Sequence, residues 1–391
     1  MLNSQKICII GSGLTALTIA YLLSKFKLQI DIVEQDRSKK KIKPTKLALS
    51  KNSLDQLCLY GLKDIKKKSN VVKNIYLHDS YSYISLKQDL HFSASNKKEA
   101  LAYIIDGNTL SSEINKKLKS LKNIKFINKE ISSIRDNKFF KEITFKDLNI
   151  ENYNLIILAS ANNLFLLSKF KLRKVIDKSY NEDAYVFNLH HKKIINNSAR
   201  QFFLKDGPLA FLPVSRTETS VIWSIKNNSI NKKYVSSKKD LSKFFNTHFK
   251  ELFNEIISIS EINKFNLNYI FNELKDSKRT LLFGDIANKI HPIAGQGWNM
   301  TLRNIFSLIK VIKYSENLGL EIGNDIFIKK YLDETSLNNL TFATLIDGIR
   351  KIFDVKIDSY AAIRKNTLSN IDKNSFLKKN FVNIANKGLF I

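Results

Sequence analysis

Gly11-Ser12-Gly13-Leu14-Thr15-Ala16 follows the apolar run Ile7-Cys8-Ile9-Ile10 almost at the start of the chain. Few folds admit a strand that ends on G-x-G-x-x-A and runs into a helix. Gly11 permits a tight turn out of the strand. Gly13 keeps side-chain atoms away from the place where a pyrophosphate approaches the backbone. Ala16, in place of a third glycine, is small enough for the helix to pack on the strand. At Leu14 and Thr15 the helix start offers unpaired N–H groups and a positive dipole end to the phosphates. Leu28–Val33 reads as the second strand. It ends at Glu34, about twenty residues past the glycines, where an acid holds ribose hydroxyls. An ordinary βαβ turn is the alternative. With strand, helix, second strand and terminal acid all in place, the expectation is a dinucleotide-binding unit.

A chain of 391 residues is long enough to bury a large core and suggests two or three domains. The net charge is +28, carried mostly by lysine. One reading is an electrostatic footprint for nucleic acid or for an anionic membrane surface. The other is compositional drift, since Lys, Asn and Ile recur throughout and form no basic arm. No motif supports nucleic-acid binding. Cys8 and Cys58 sit in apolar contexts without a CxxC pair. They read as reduced core thiols of a cytoplasmic protein, and no metal-ligand cluster stands out. Residues 7–24 carry no charge, but the Gly-Ser-Gly inside them divides the run into strand and helix, so it is not read as a membrane span. No leader is expected ahead of a strand that starts near residue 6.

Further along, Leu47 to Gly61 reads as a helix with Ser50 or Ser53 near its start, and Leu110 to Leu118 as another. Ile75 to Leu86 alternates as strands do. Ile124–Ile127, Ile143–Phe145, Leu155–Leu158 and Leu281–Phe283 look like short strands. Ala184 to Ile225 suggests an antiparallel sheet, and beyond Trp298 the periodicity is helical nearly to the end. Interleaved strands and helices with a β-rich insert make an α/β architecture whose first domain is discontinuous.

A second motif spans Leu281 to Asn304, LLFGDIANKIHPIAGQGWNMTLRN. A buried strand meets Gly284-Asp285, a glycine-bearing loop follows from Pro292, and a helix begins near Trp298. Asp285 is suited to a polyol, and the helix start at Gly297 to Asn299 to a negative charge on a reduced ring. This stretch resembles the flavin-binding GD motif of single-component FAD aromatic hydroxylases with the p-hydroxybenzoate hydroxylase fold. HPIAGQG followed by Asn and Leu-Arg is closer still to the ubiquinone-biosynthesis hydroxylases. The segments Leu47–Ser50 with Ser53, Ala199–Leu204, Gly207–Pro213 with Val221–Ser224, and Ile346–Phe353 resemble that branch too.

The resemblance implies a Rossmann-like FAD-binding domain, an inserted antiparallel β-sheet substrate domain and a helical C-terminus. The expected division is 1–74 and 99–180 for the first two parts of the FAD domain, and 75–98 with 181–272 for the substrate domain. Residues 273–330 are expected to carry the GD motif and its helix, and 331–391 the terminal helices. Gly11, Gly13 and Ala16 would hold the pyrophosphate, Glu34 the adenosine ribose and Asp285 the ribityl chain. Pro292, Gly295, Gln296, Gly297, Trp298 and Asn299 would line the isoalloxazine. Phe211, Leu212, Pro213 and Trp223 are candidates for the substrate pocket, or for plain sheet core. His291 beside the flavin loop is a candidate acid or base, or a structural residue.

Two departures stand out. In the family, an Asp-Gly pair follows the strand equivalent to Leu155–Leu158; here Ser160 and Ala161 take its place. A family arginine is replaced by Thr45, with Lys46 beside it to supply charge without the planar fork. The implied function is hydroxylation of a prenylated phenol in ubiquinone synthesis, with NAD(P)H as electron donor and O2 added to the flavin as a C4a-hydroperoxide. That chemistry needs no side-chain nucleophile, and no catalytic side chain is assigned. The alternative is a catalytically impaired subunit that scaffolds a biosynthetic complex. A lipid substrate implies pickup at the inner membrane surface of a bacterium, by a protein otherwise cytoplasmic.

Overall fold

The computed structural model describes the chain apart from residues 1–4, 35–45, 81–82, 95, 97–98, 161–167, 169, 171, 277, 356–357 and 389–391. Five parallel strands form one sheet, in the order Thr280–Leu282, Leu155–Leu158, Gln5–Ile10, Leu28–Val33, Ile124–Ile127. Their apolar runs are continuous because both faces are covered. Ile7 and Ile9 look into a core shared with the helices Leu14–Leu23 and Gln296–Asn317. Cys8, Ile10, Ile156 and Leu158 look the other way, onto a small antiparallel sheet of Ile131–Asp136, Lys141–Phe145 and Ile150–Tyr153. The helix Leu14–Leu23 is apolar nearly all round and buried from Ala16 onward, as a helix between two layers must be.

A larger mixed sheet of nine strands carries the β-rich insert. From the long strand Leu172–His191 to one edge it runs through Glu218–Lys226, Gly207–Ser215, Ser198–Leu204 and Asn74–Ser80 to Leu90–Ser93. Ser198–Leu204 joins Asn74–Ser80 in parallel, and the other neighbours in this run are antiparallel. The helix Lys238–Phe253 covers one face with Leu241, Phe244, Phe245, Phe249 and Phe253. The long helices Asp325–Asp354, Asp358–Lys373 and Ser375–Lys387 complete the chain.

Three elements differ from the expectation. Leu47–Ser50 is not the first turn of a helix but part of the strand Lys46–Ser50, paired with Ala102–Asp106. The helix starts only at Lys51, because the Ser50 hydroxyl accepts the N–H of Ser53 (3.1 Å) and caps it. The loop helix begins at Gln296, two residues before Trp298, immediately after Gly295 in the left-handed conformation (φ +60°). The strand expected from Ala184 begins at Leu172 and crosses residue 181, absorbing two register shifts on its way.

Candidate active site

Gly11 sits at φ +130°, and a Cβ there would lie 3.2 Å from Ala159 and from the Ser160 side chain. Both the conformation and the closeness of the next strand's exit demand glycine. Gly13 differs. It caps the helix Leu14–Leu23 in extended conformation, with no side-chain cap, and a Cβ on it would meet nothing within 4 Å. Open space therefore lies over a helix N-terminus, where a phosphate fits. Glu34 is exposed at the strand end and accepts the Ser12 hydroxyl (2.7 Å). Ser160 borders the same loop; Thr45, Ala161 and most of the lysine-rich segment 39–46 lie outside the described residues.

The second motif comes up against the first. A Cβ on Gly284 (φ +72°) would lie 3.0 Å from the Thr15 hydroxyl, so the turn of the second motif packs against the helix start of the first. Asp285, in that turn, is exposed although protein surrounds its carboxyl. Burial by the surrounding protein raises its carboxyl above the usual range, and Lys289 works against the rise. Pro292 precedes a short 3-10 turn, Ile293–Gly295, and the helix follows with Gln296, Gly297, Trp298 and Asn299 in its first turn. Gln296 Oε1 and Trp298 Nε1 are buried without a hydrogen-bond partner. Unsatisfied polar atoms at a helix start mark a place that a polar group completes. The residues present thus fit FAD at both ends: an open phosphate cradle, a ribose acid, and a loop with unspoken-for donors and acceptors.

Asn299 holds this loop in place. It accepts the N–H of Ser50 (2.8 Å) and donates to the carbonyls of Ala48 (2.8 Å) and Gly295 (3.2 Å). The strand Lys46–Ser50 is thereby stitched to the loop Pro292–Gly295. Lys46 points its ammonium at Asp106 (2.9 Å), which also caps the helix Gly107–Leu118. Its charge is already matched by a carboxylate rather than free for a cofactor.

A cavity of about 270 Å³ opens beside the loop. Pro292, Gly295, Gln296 and Asn299 form its floor, Ala48 and Ser50 one side, and the large sheet a wall through Ile75, Leu77, Leu212 and Ile222. Val382 and Ala385 of the last helix close it. Among the five pocket candidates, Leu212 alone lines it. Phe211, Pro213 and Trp223 lie one residue out of step, so the strand pleat turns them to the opposite face. There Trp223 stacks on Phe244 (5.0 Å) and Phe211 meets Phe249 edge-on (5.0 Å). The alternation of Gly207–Ser215 marks two faces but not which of them the helix covers.

His291 is fully buried and does not reach the cavity. Ile293 N–H donates to its Nδ1 (3.3 Å), which leaves Nε2–H to donate to Glu182 (3.1 Å). Burial lowers the pKa of the imidazole more than Glu182 raises it. Burial pushes the Glu182 carboxyl up, but His291 and Arg350 outweigh it, and the net shift is down. Arg350 also stacks on Tyr180 (4.6 Å). His291 therefore ties the loop that carries Ile293 to the sheet and, through Glu182 and Arg350, to the helix Asp325–Asp354. Among the described residues no cluster of three His, Cys, Asp or Glu is placed to hold a metal.

Comparison with known proteins follows this geometry. The family model described as squalene epoxidase matches residues 168–384, more than half of the chain. A ubiquinone hydroxylase, UbiL, of Rhodospirillum rubrum is 23% identical over 206 residues, covering 53% of this chain and 48% of the relative. The mitochondrial ubiquinone biosynthesis monooxygenase COQ6 of Dictyostelium discoideum is 24% identical over 348 residues, covering 74% and 69%. The chain thus spans about half of the first relative and just over two thirds of the second. Among solved structures, PqsL of Pseudomonas aeruginosa, described as a probable FAD-dependent monooxygenase, superposes with a TM-score of 0.75 at 14% identity, covering 95% of this chain and all of the other. HpxO of Klebsiella pneumoniae, solved with FAD and uric acid, gives 0.72 at 13% identity, covering 99% and 98%. The names of the relatives agree with the resemblance read from the motifs. The chain belongs to the squalene epoxidase family and has the fold of the FAD-dependent monooxygenases.

Proposed function

We propose that this protein is an FAD-dependent monooxygenase that hydroxylates the ring of a prenylated phenol in ubiquinone biosynthesis, using NAD(P)H and O2. One observation carries the reading: an apolar cavity opens directly onto the loop suited to the flavin edge. Bound FAD supplies the two-electron chemistry and the activation of oxygen. The chain supplies the rest. Gly11, Gly13, Leu14, Thr15 and Ala16 seat the pyrophosphate, Glu34 the ribose and Asp285 the ribityl chain. The helix start at Gly297 to Asn299 stabilises negative charge on the ring. Ile75, Leu77, Leu212 and Ile222 exclude water and orient the substrate ring.

At about 270 Å³ the cavity is small beside ordinary ligand pockets of roughly 300–1,000 Å³. It takes a ring and the first part of a prenyl tail. The remainder leaves past the last helix, where Phe381 both lines the cavity and is exposed. Tyr360, Ile363 and Phe376 are exposed nearby in sequence, interleaved with Lys365, Lys373 and Lys379. Aromatic and basic residues on one pair of helices suit an anionic membrane surface. No described helix is long and apolar enough to cross a membrane. Flotation with anionic vesicles, weakened by Phe376→Ser, tests this contact.

The second reading, a scaffold subunit without turnover, draws on Ser160 where the family has an acid. The absorption spectrum of purified protein separates the two. Flavin absorbance that is bleached by NAD(P)H, with a product heavier by one oxygen, supports the enzyme. A protein that takes up no FAD supports the scaffold.

A further inference from the structure

Only one side chain among the described cavity-lining residues is ionisable, Arg200. It borders the cavity from the strand Ser198–Leu204, but its guanidinium belongs to the other face. Arg200 is in register with Tyr76 and lies over that ring (4.3 Å), and its NH1 approaches His78 (3.5 Å), which in turn stacks on Phe202 (4.0 Å). Its neighbours Ala199, Gln201 and Phe203 take the cavity side, together with Ile75 and Leu77 across the ladder.

The polar lining side chains are otherwise accounted for, with few exceptions. Asn299 is committed to three backbone groups, and Ser50 to Ser53 and the carbonyl of Asn386. Asn386 is only half-buried, on the closing helix. Gln296 belongs to the flavin loop. That leaves Gln201, on the sheet wall. It is 8% exposed and makes no side-chain hydrogen bond among the described residues. Its carboxamide is not sealed from the accessible space of the cavity, and a ligand group that both donates and accepts would pair with it.

We infer that Gln201 is a specificity residue that reads the hydroxyl of an uncharged phenol, and that the cavity rejects the same ring bearing a carboxylate. The inference rests on the proposed function for the identity of the ring, and adds which oxidation substrates the wall admits. Gln201 offers Nε2–H to the phenol oxygen and Oε1 to its proton. A carboxylate would lie against apolar side chains with no cation facing it, and burying an unpaired charge is far costlier than burying a hydroxyl. The ring therefore reaches this protein without a carboxylate: either the acid was never present or an earlier decarboxylation removed it.

The test uses three probes on the FAD-loaded protein at neutral pH: 2-geranylphenol, its methyl ether, and 3-geranyl-4-hydroxybenzoate. Dissociation constants are read from flavin absorbance changes and by calorimetry. The phenol is expected to bind about threefold to tenfold tighter than the ether, one neutral hydrogen bond. It is expected to bind about a hundredfold or more tighter than the benzoate. Gln201→Leu should bring the phenol down to the ether and leave the ether unchanged. Gln201→Lys should move the preference toward the benzoate. Equal binding of phenol and benzoate, or a Gln201→Leu protein that binds the phenol as tightly as wild type, overturns the inference. So does FAD uptake with no response to any probe. If FAD is not taken up, the proposed function fails instead; calorimetry on the flavin-free chain then decides the wall's preference by the same ratios. Should neither variant fold, the three-probe ranking on wild type still decides.

Discussion

The two faces of the nine-stranded sheet are built from alternate residues of the same strands, yet they do different work. On one face Trp223, Phe211, Phe202 and Phe187 lock into the helix Lys238–Phe253, ring against ring. On the other, Leu212, Ala210, Ile222 and Gln201 line open space beside the flavin loop. The difference lies in what each face meets. An amphipathic helix fills the first to interior density. The second meets a loop of glycines, two strand ends and parts of the helices Asp325–Asp354 and Ser375–Lys387, which leave the cavity between them. A step of one residue along a strand thus separates a residue that holds the fold from one that lines the cavity.

The largest effect expected from this contrast is at Trp223. Trp223→Ala should lower stability by about 3–5 kcal/mol, seen as a lower denaturant midpoint, with no selective effect on ligand affinity in protein that remains folded. A selective loss of ligand binding with unchanged stability would place Trp223 on the wrong face.

Next in size is the response of the packed face to acid. Burial lowers the pKa of His78 from 6.5 to about 4, the Lys87 carbonyl raising it and Arg200 lowering it further. Below pH 6.5 the unfolded chain binds a proton that the folded chain refuses until about pH 4. Stability present above pH 6.5 is therefore lost as the pH falls across that window, by about 3 kcal/mol at most. His78→Gln should flatten the pH dependence of the melting temperature between those limits. An unchanged slope contradicts a buried neutral His78.

Smaller again is the effect at the first cradle. Gly13→Ala adds a methyl group to open space, so the flavin-free protein should melt as wild type does. The FAD dissociation constant should rise about thirtyfold, for a clash worth about 2 kcal/mol. Unchanged FAD affinity would mean that the pyrophosphate lies elsewhere. The smallest stability change belongs to the open face: Leu212→Ala should cost about 1 kcal/mol or less. It should still weaken prenylphenol binding, which equilibrium titration measures.

Much of the first strand–turn–helix unit was legible in the sequence because its constraints are local. Gly11 needs its positive φ, Gly13 stands beside open space, and the strands around them are apolar on both faces. The four residues Leu47–Ser50 misled because their helix cap lies at their end: Ser50 closes a strand and opens a helix. On the substrate side, period-two alternation shows that Gly207–Ser215 has two faces, but the covering helix Lys238–Phe253 lies downstream and its choice of face is a tertiary fact. Gln201 was passed over for the same reason. Nothing local distinguishes a glutamine facing solvent from one facing a cavity. His291 attracted interest as an acid or base, while its partner Glu182 lies 109 positions away in sequence.

The central claim is that the open sheet face and the flavin loop form one site. The most direct test is the visible spectrum of FAD-loaded protein titrated with 2-geranylphenol. A saturable perturbation of the flavin bands, weakened by Leu212→Ala and left intact in correctly folded protein altered on the packed face, is the expected result. A bound flavin whose spectrum ignores the phenol at every concentration would contradict it.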